Sequence, residues 1–304
     1  MEKLEKLTTE TRNMKTINID RLSIIESLRL MNEEDKKVAI AIEKVLPEIQ
    51  KIIDAVILAF NNDGRLLYIG AGTSGRLGIL DAVECVPTFG TEDTMVQGLI
   101  AGGNDAIWKA VEGAEDSESL GMKDLKEINL SKNDVLIGLA ASGRTPYVIG
   151  ALQYAKSIGA TTASITCNKE SLISNYSEIP VEVELGPEFL TGSTRLKSGT
   201  AQKMILNMIS TISMIGIGKV YKNLMVDVKP TNLKLIERAK RIIMDATGCD
   251  YKTAESTYYL AKENVKVAII MIIVSCSREE AVKRLENAHY FVGNALHERE
   301  IQND

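Results

Sequence analysis

The chain has 304 residues, of which 45% are hydrophobic and 25% charged, and it carries a formal net charge of -5 at pH 7. This composition is typical of a globular protein and excludes a largely disordered chain. The slight acidity offers no general attraction for nucleic acid or for an anionic membrane, so an anionic ligand would need a local site.

The sequence also bears on localisation, membrane insertion and metal binding. The opening MEKLEKLTTETRN has no apolar stretch behind its charges, so it cannot act as a secretory signal, and we expect a cytoplasmic protein. The apolar run from Val265 to Cys276 is shorter than the ~20 residues of a membrane span and contains Lys266, so we expect a buried helix or strand. Scattered cysteines without a CxxC pair, and two late histidines, predict neither a disulfide framework nor a metal site.

Helices come first in the predicted element order, and strands then alternate with helices. Capping residues at Asn32 to Asp35 precede a long apolar periodicity that is typical of a helix, which Pro47 should interrupt. A turn is expected at Asn61 to Gly64, followed by the strand RLLYIG and a glycine-rich loop. The same order returns at DVLIGLAASGRTPYVIGALQYAKSIGA, with further strands at TTASITC and VEVEL. We therefore expect an α/β fold with a parallel sheet covered by helices on both faces.

The last quarter of the chain lacks this alternation. From Pro230 onward the sequence is charged and helix-like, with a turn at Thr247 to Asp250. We expect an N-terminal arm and helices packing on the core at 1–60, the α/β domain at 61–228, and a small helical C-terminal domain at 229–304.

Two glycine-containing loops each follow a predicted strand and open a predicted helix. Backbone N–H groups in such loops, together with the helix N-terminus, can hold an anion. We expect one phosphate to be held by both loops, through Thr73, Ser74 and Gly75 on the first and Ser142, Gly143 and Thr145 on the second. Serine and threonine also cap helices routinely, so capping is the alternative interpretation of either loop.

The first loop also satisfies the pattern G-x-G-x-x-G, which by itself is a weak signal for a dinucleotide cofactor. That interpretation needs an acidic residue at the end of the next strand. Glu92 and Asp93 fall nearby, but in a stretch that does not read clearly as strand. We therefore predict no nicotinamide cofactor.

Longer phrases around the two loops resemble one known family. They are GTSGRLGILDAVECVPTFG at 72–90, GLIAGG at 98–103, AVEGAEDS at 110–117 and GPEFLTGSTRLKSGTAQKMILNMIST at 186–211, with TTETRN and MVDVKPTN in support. Strand, GTSG loop and helix followed by strand, ASGRT loop and helix resemble the sugar isomerase (SIS) domain. The longer phrases resemble the N-acetylmuramic acid 6-phosphate etherases, over nearly the whole chain. Glucokinase regulatory proteins are more distant relatives with two such domains.

The resemblance implies a carbon–oxygen lyase of amino sugar recycling that needs no cofactor and no metal. Its substrate would be a 2-acetamido sugar phosphate with D-lactate as an ether on C3, and its products N-acetylglucosamine 6-phosphate and D-lactate. In the open-chain aldehyde the C2 hydrogen lies α to a carbonyl, so a base can remove it while an acid protonates the departing oxygen. The resemblance also implies a homodimer, in which the neighbouring chain is placed to close the pocket.

Glu84 and Glu115 occupy the positions of the family's two catalytic glutamates. We expect Val83, Cys85 and Val86 to desolvate Glu84 and raise its pKa, as a general acid requires. Glu115 would then remove the C2 proton, although the two roles can be exchanged or shared. Without the resemblance, Glu84 would be interpreted as a half-exposed acid on a helix face near a turn, and Glu115 as part of a solvated acidic face.

Several other residues are weaker candidates. Arg195 and Lys197 can meet the phosphate or the lactyl carboxylate, or can be solvated surface cations. Glu188 lies where sugar isomerase domains place functional groups, or it caps the following segment. His289 and His297 are expected in the helical tail, and Cys85 in the packing.

Two other functions use the same fold. An aldose–ketose isomerase would need the phosphate loops and one base but no acid for an ether oxygen. A non-catalytic sugar-phosphate sensor could lack one of the two glutamates, whereas this chain keeps both. The DNA-binding sensors carry a basic helix-turn-helix that the acidic N-terminal arm does not resemble.

Overall fold

The computed structural model describes residues 7–228 and 232–297. The chain forms two compact units, the first comprising Met1–Val83 and Asp93–Ser210 and the second comprising Glu84–Glu92 and Thr211–Asp304. The expected boundary at 228/229 and part of the MVDVKPTN phrase fall on residues 229–231, which lie outside the described residues. The three-part division of the chain therefore stays a prediction.

The first unit contains a five-stranded parallel sheet. Its strands are β1 (Leu66–Gly70), β2 (Val96–Ile100), β3 (Val135–Leu139), β4 (Thr161–Thr166) and β5 (Ile179–Glu182). Their order is β2-β1-β3-β4-β5, and every neighbouring pair is parallel. The chain reverses its direction of progress between β1 and β3, and in sheets of this kind ligands bind at the carboxyl ends of the strands beside such a reversal.

Helices surround this sheet, and two of them extend into the second unit. They are α1 (Ile24–Glu43), α2 (Leu46–Phe60), α3 (Gly72–Phe89), α4 (Asp105–Trp108), α5 (Glu118–Glu127), α6 (Pro146–Ser157) and α7 (Lys197–Gly216). Tyr147 and Leu152 of α6 pack with Leu136 of β3 in a fully buried cluster. The α/β prediction is thus confirmed.

The first helix begins earlier than the sequence analysis placed it. Ser23 accepts a hydrogen bond from the Glu26 N–H, and Glu26 bonds back to the Ser23 backbone, so this capping box starts α1 at Ile24 and leaves Asn32 inside the helix. The expectation for Pro47 is confirmed, because α1 ends at Glu43 and the proline lies in the first turn of α2, where no N–H is needed.

The second unit is built from helices and one short hairpin. The helices are α8 (Leu233–Thr247), α9 (Tyr251–Leu260), α10 (Val265–Val274), α11 (Arg278–Asn287) and α12 (Val292–His297), and the hairpin pairs β6 (Val220–Tyr221) with β7 (Leu224–Met225). Asn232, Asp250, Asn264 and Ser277 each cap a helix through the side chain. A helical C-terminal region is confirmed, whereas two-residue strands were too short to be predicted.

The apolar run at 265–276 is helical, since it forms α10 and Ser275 ends it in a left-handed conformation. Lys266 within it is buried and contacts Asp227 at 2.7 Å. No helix in 7–228 or 232–297 is long and apolar enough to cross a membrane. None of the four cysteines, all of which lie in the part of the chain that the structure describes, forms a disulfide.

Candidate functional site

The two predicted loops lie at one edge of the sheet. β1 and β3 are adjacent and parallel, and their last residues, Gly70 and Leu139, are register partners. The loop after β1 opens the 18-residue α3 and the loop after β3 leads to the 12-residue α6. Two helix N-termini, each with the partial positive charge of a helix dipole, therefore begin beside each other at this edge.

Ser74 is the most enclosed hydroxyl of the first loop. It is 7% exposed, and its Oγ donates a 2.9 Å hydrogen bond to Oε1 of Gln202, on α7. The Gln202 side chain is itself buried, and its Nε2 has no hydrogen-bond partner among the described residues. A buried amide N–H without a partner destabilises the fold. Gln202 Nε2 is therefore a hydrogen-bond donor beside the first loop that a ligand or a change of side-chain orientation could satisfy.

Gly75 and Thr73 complete the first turn of α3. A Cβ on Gly75 would lie 2.7 Å from the Gly70 carbonyl oxygen, so the glycine lets the helix approach β1 closely. Its N–H already bonds to the Ala71 carbonyl. Thr73 is half-buried beside it. The glycine therefore shapes the loop, and Thr73 and Ser74 carry its hydroxyls.

The second loop is bonded to the side chain of Asn168, which lies just after β4. The Nδ2 of Asn168 lies 3.1 Å from the Ala141 carbonyl oxygen and 3.4 Å from that of Ser142. Gly143 has a φ of 73°, which favours glycine. Thr145 is the N-cap residue of α6, yet its side chain makes no capping hydrogen bond. Capping, the alternative interpretation of this loop, thus does not account for the Thr145 hydroxyl.

Glu188 is buried, at 1% exposed, against the start of α7. One carboxylate oxygen accepts the Lys197 N–H at 2.9 Å, and the other accepts the N–H and the hydroxyl of Ser198 at 2.9 and 2.7 Å. A carboxylate at this place satisfies two otherwise unpaired N–H groups and complements the helix dipole. The capping interpretation thus has direct geometric support, and a role for Glu188 in substrate binding stays a prediction.

Lys197 is buried, not solvated. Its side chain is 1% exposed, and its Nζ lies 2.8 Å from Oε2 of Glu34 and 3.1 Å from the Leu185 carbonyl oxygen. Burial alone would raise the pKa of Glu34, but hydrogen bonds from Lys197 and Lys37 outweigh it and hold the pKa below its ordinary value. The alternative interpretation of Lys197 as a solvated surface cation is wrong, because Glu34, on a distant part of the chain, neutralises the buried charge. A role for Lys197 in substrate binding stays a prediction. Arg195 is exposed in the turn before α7.

Glu84 lies on α3 and is exposed. The expectation that its neighbours desolvate it is wrong for this chain: Cys85 is buried, but Val83 is 61% exposed. Consecutive residues of a helix point about 100° apart, so apolar neighbours in sequence do not surround a side chain.

Glu115 lies in a short 3-10 helix, Ala114–Asp116, and is also exposed. This segment packs against α6, the helix that follows the second loop. Glu115 belongs to the first unit and Glu84 to the second. The catalytic roles of both residues stay predictions.

One buried cysteine, the two histidines and a cavity are the other features that could take part in chemistry or binding. Burial raises the pKa of the Cys167 thiol to about 12, so this residue is no nucleophile. His289 is exposed in the turn after α11, and His297 is exposed at the end of α12. A cavity of about 440 Å³ is lined by Asp63, Lys132 and Thr161 among others, at the amino ends of the strands and thus opposite the two loops.

Sequence reasoning missed Gln202 and Asn168. Gln202 stands inside a phrase that carried the family resemblance, but only its packing against Ser74 shows what it contacts. Asn168 follows the carboxyl end of β4, the neighbour of β3, and a polar residue at that place is a signal that could have been used.

Comparison with known proteins agrees with this architecture. Residues 48–156 match the family model described as the glucokinase regulatory protein N-terminal SIS domain, and residues 111–212 match the SIS domain. A phosphoheptose isomerase from Francisella tularensis superposes with a TM-score of 0.50 at 16% identity, covering 64% of this chain and 100% of that one, which shows the fold alone. The fold and its two loops define a protein of the sugar isomerase domain class.

Relatives in sequence are much closer. N-acetylmuramic acid 6-phosphate etherase 2 of Enterococcus faecalis is 62% identical over 293 residues, which are 96% of this chain and 99% of the relative. The N-acetylmuramic acid 6-phosphate etherase of a Geobacillus species is 64% identical with the same coverage. The chain belongs to the N-acetylmuramic acid 6-phosphate etherase family.

Proposed function

We propose that this protein cleaves the C3 ether of N-acetylmuramic acid 6-phosphate to N-acetylglucosamine 6-phosphate and D-lactate, as a carbon–oxygen lyase. The observation that carries the proposal is the 62% identity to an etherase of this name over 96% of the chain. The paired loops at the β1 and β3 edge support it, because they offer a local site for a phosphate in a protein whose net charge is negative.

The phosphate would lie between the two helix N-termini and accept hydrogen bonds from Thr73, Ser74, Ser142 and Thr145. Ser74 at present donates its proton to Gln202 Oε1, and Gln202 Nε2 is unpaired. Rotating the amide by 180° would let Nε2 donate to Ser74 Oγ and free the serine proton for a phosphate oxygen. This rearrangement pairs Nε2 and frees the Ser74 hydroxyl, and it moves Oε1 to the position that Nε2 occupied.

The chemistry divides between two carboxyl groups. Glu115 takes the C2 proton from the open-chain aldehyde, the C2–H electron pair forms the C2–C3 double bond, and the C3–O bond breaks. Glu84 gives a proton to the departing oxygen, which leaves as D-lactate. Water then adds, its oxygen to C3 and a proton to C2, with the same groups acting in reverse. No metal ion takes part in these steps.

We also propose that the protein acts as a homodimer in the cytoplasm, where charged sugar phosphates are retained. Leu80 and Val83 are 46% and 61% exposed on α3, the helix that carries Glu84. A second copy that covers these apolar side chains would also exclude water from the Glu84 carboxyl group. Analytical ultracentrifugation of wild type and Val83→Asp tests this: the proposal fails if both are monomers with equal activity.

The decisive assay is incubation with N-acetylmuramic acid 6-phosphate and enzymatic measurement of D-lactate, with and without a chelator. We expect stoichiometric lactate in both conditions. Loss of activity in the chelator, restored by zinc or magnesium, would contradict the metal-free mechanism. Aldose–ketose interconversion without lactate would identify an isomerase instead, and binding without turnover a sensor.

The division of roles is tested by Glu84→Gln and Glu115→Gln, with the exposed neighbour variant Glu112→Gln as control. Each catalytic variant should lose lactate release by about 10²- to 10⁴-fold, whereas the control should keep it. Glu115→Gln should also stop exchange of the C2 hydrogen with deuterated solvent, and Glu84→Gln should preserve it. The opposite exchange pattern would reverse the roles, and full turnover in both variants would refute the mechanism.

A further inference from the structure

The N-terminal segment at Thr8 and Thr9 is bonded to the side chain of Asn168, about 160 residues away in sequence. Thr8 Oγ1 donates to Asn168 Oδ1 at 2.9 Å, and the Thr9 N–H donates to the same oxygen at 3.4 Å. On the other side of the amide, Nδ2 donates to Thr9 Oγ1 at 3.1 Å. Asn168 is 2% exposed and Thr9 is 1% exposed, so water does not replace these bonds.

The same Nδ2 reaches the second loop, where it lies 3.1 Å from the Ala141 carbonyl oxygen and 3.4 Å from that of Ser142. Donors therefore surround Oδ1 and acceptors surround Nδ2, which fixes the orientation of the amide. A single side chain thus joins the N-terminal segment to the backbone of the loop that carries Ser142 and Thr145.

Two hydroxyls hold Asn168 and the loop together from the β4 side. Thr166 Oγ1 donates to the Asn168 carbonyl oxygen at 2.8 Å, and Ser171 Oγ donates to it at 2.7 Å. Ser171 also lies directly against Gly143, because a Cβ there would be 2.3 Å from its Oγ. Neither Asn168 nor the loop can shift without breaking buried hydrogen bonds, each costly in a low-dielectric interior.

We propose that Asn168 is a positioning residue for the second phosphate loop and that Thr8 and Thr9 lock it, so that the N-terminal segment is part of the substrate site. This inference rests on the proposed function only in taking the loop as a phosphate site. By binding the Ala141 and Ser142 carbonyl oxygens, Asn168 fixes the backbone of the loop and keeps these two acceptors from opposing an anion at the loop hydroxyls.

Asn168→Asp is the sharpest test, because it keeps the shape of the side chain but replaces Nδ2 by an oxygen that faces two carbonyls. Thr8→Val and Thr9→Val are the milder variants, which remove one hydroxyl each and leave Asn168 in place. Ser164→Ala is the matched control: Ser164 is buried on β4 and bonds to Ser177 Oγ, not to the loop.

Each variant is measured three ways: thermal unfolding, affinity for inorganic phosphate by calorimetry, and kcat and KM for lactate release. We expect Asn168→Asp to weaken phosphate binding and raise KM by about tenfold or more, and each threonine variant to do so by about threefold, with smaller changes in kcat. Ser164→Ala should lower the melting temperature without changing phosphate affinity.

Unchanged phosphate affinity and KM in Asn168→Asp and both threonine variants would overturn the inference, whatever their melting temperatures. If Asn168→Asp does not fold, the threonine variants decide. Phosphate binding that responds as expected in a protein that releases no lactate would refute the proposed function and keep the inference. Absence of phosphate binding in wild type would refute the phosphate site itself.

Discussion

Replacing Glu188 with glutamine separates the two interpretations of this buried carboxylate. Its two oxygens accept three hydrogen bonds from Lys197 and Ser198 at the start of α7. A glutamine keeps one acceptor, but its NH₂ group must then face an N–H donor. We expect the loss of one charge-assisted hydrogen bond, at about 2 kcal/mol, and of the favourable charge at the helix N-terminus, at up to about 1 kcal/mol.

The free energy of unfolding of Glu188→Gln should therefore fall by about 3 kcal/mol, which lowers the melting temperature by several degrees in a chain of this size. If Glu188 only caps α7, kcat/KM measured well below the transition should stay within about twofold of wild type. Glu184→Gln is the matched control, because Glu184 is half-exposed and pairs with Lys169 on the surface, where an ion pair contributes little.

The opposite result would refute this reasoning. A Glu188→Gln variant that melts like wild type and yet loses activity by about a hundredfold would show that the carboxylate acts on the substrate. Scanning calorimetry and the lactate assay on the same preparation distinguish the outcomes.

Three further predictions concern single side chains. Ser74→Ala and Ser142→Ala should each weaken the binding of inorganic phosphate by about tenfold or more. Each substitution removes a hydrogen bond to a charged oxygen, and such a bond contributes about 1.5 to 3 kcal/mol. Calorimetry that finds wild-type affinity in both variants would exclude the phosphate site. Burial raises the pKa of Asp134, but the Arg65 guanidinium and backbone N–H groups outweigh it and hold the pKa below its ordinary value. The stability that this pair contributes is present above a pH of about 4 and is lost as the pH falls through the folded-state pKa of Asp134. Urea unfolding of Asp134→Asn should therefore show about 3 kcal/mol less stability than wild type at neutral pH, and a weaker dependence of stability on acid pH. Burial raises the pKa of the Cys167 thiol and shields it from solvent, so Cys167 should react with a thiol reagent only after unfolding. Peptide mass spectrometry that finds Cys167 modified in the native protein would contradict this.

The sequence alone determined the alternation of strands, loops and helices in the α/β core, although it missed the edge strand β2 and placed the strand at VEVEL two to three residues later than β5. Alternation of short apolar runs with amphipathic segments is a local signal, and the glycine and hydroxyl residues after β1 and β3 mark the loops directly. Since the carboxyl ends of parallel strands share one edge, the sequence also placed the two loops together. Family membership followed from long phrases of residues, which no single motif replaces.

Only the tertiary structure decided which side chains support those loops. Ser74 bonds to Gln202, Lys197 to Glu34, and Asn168 to Thr8, and these partners are 128 to 163 residues apart. The sequence also did not determine how exposed Glu84 is. Its apolar neighbours in sequence suggested a desolvated carboxyl group, but the side chain is exposed on α3. Local periodicity fixes each element and its faces, but a buried hydrogen bond or ion pair forms only where packing brings two distant elements together and excludes water, and no local pattern encodes that choice.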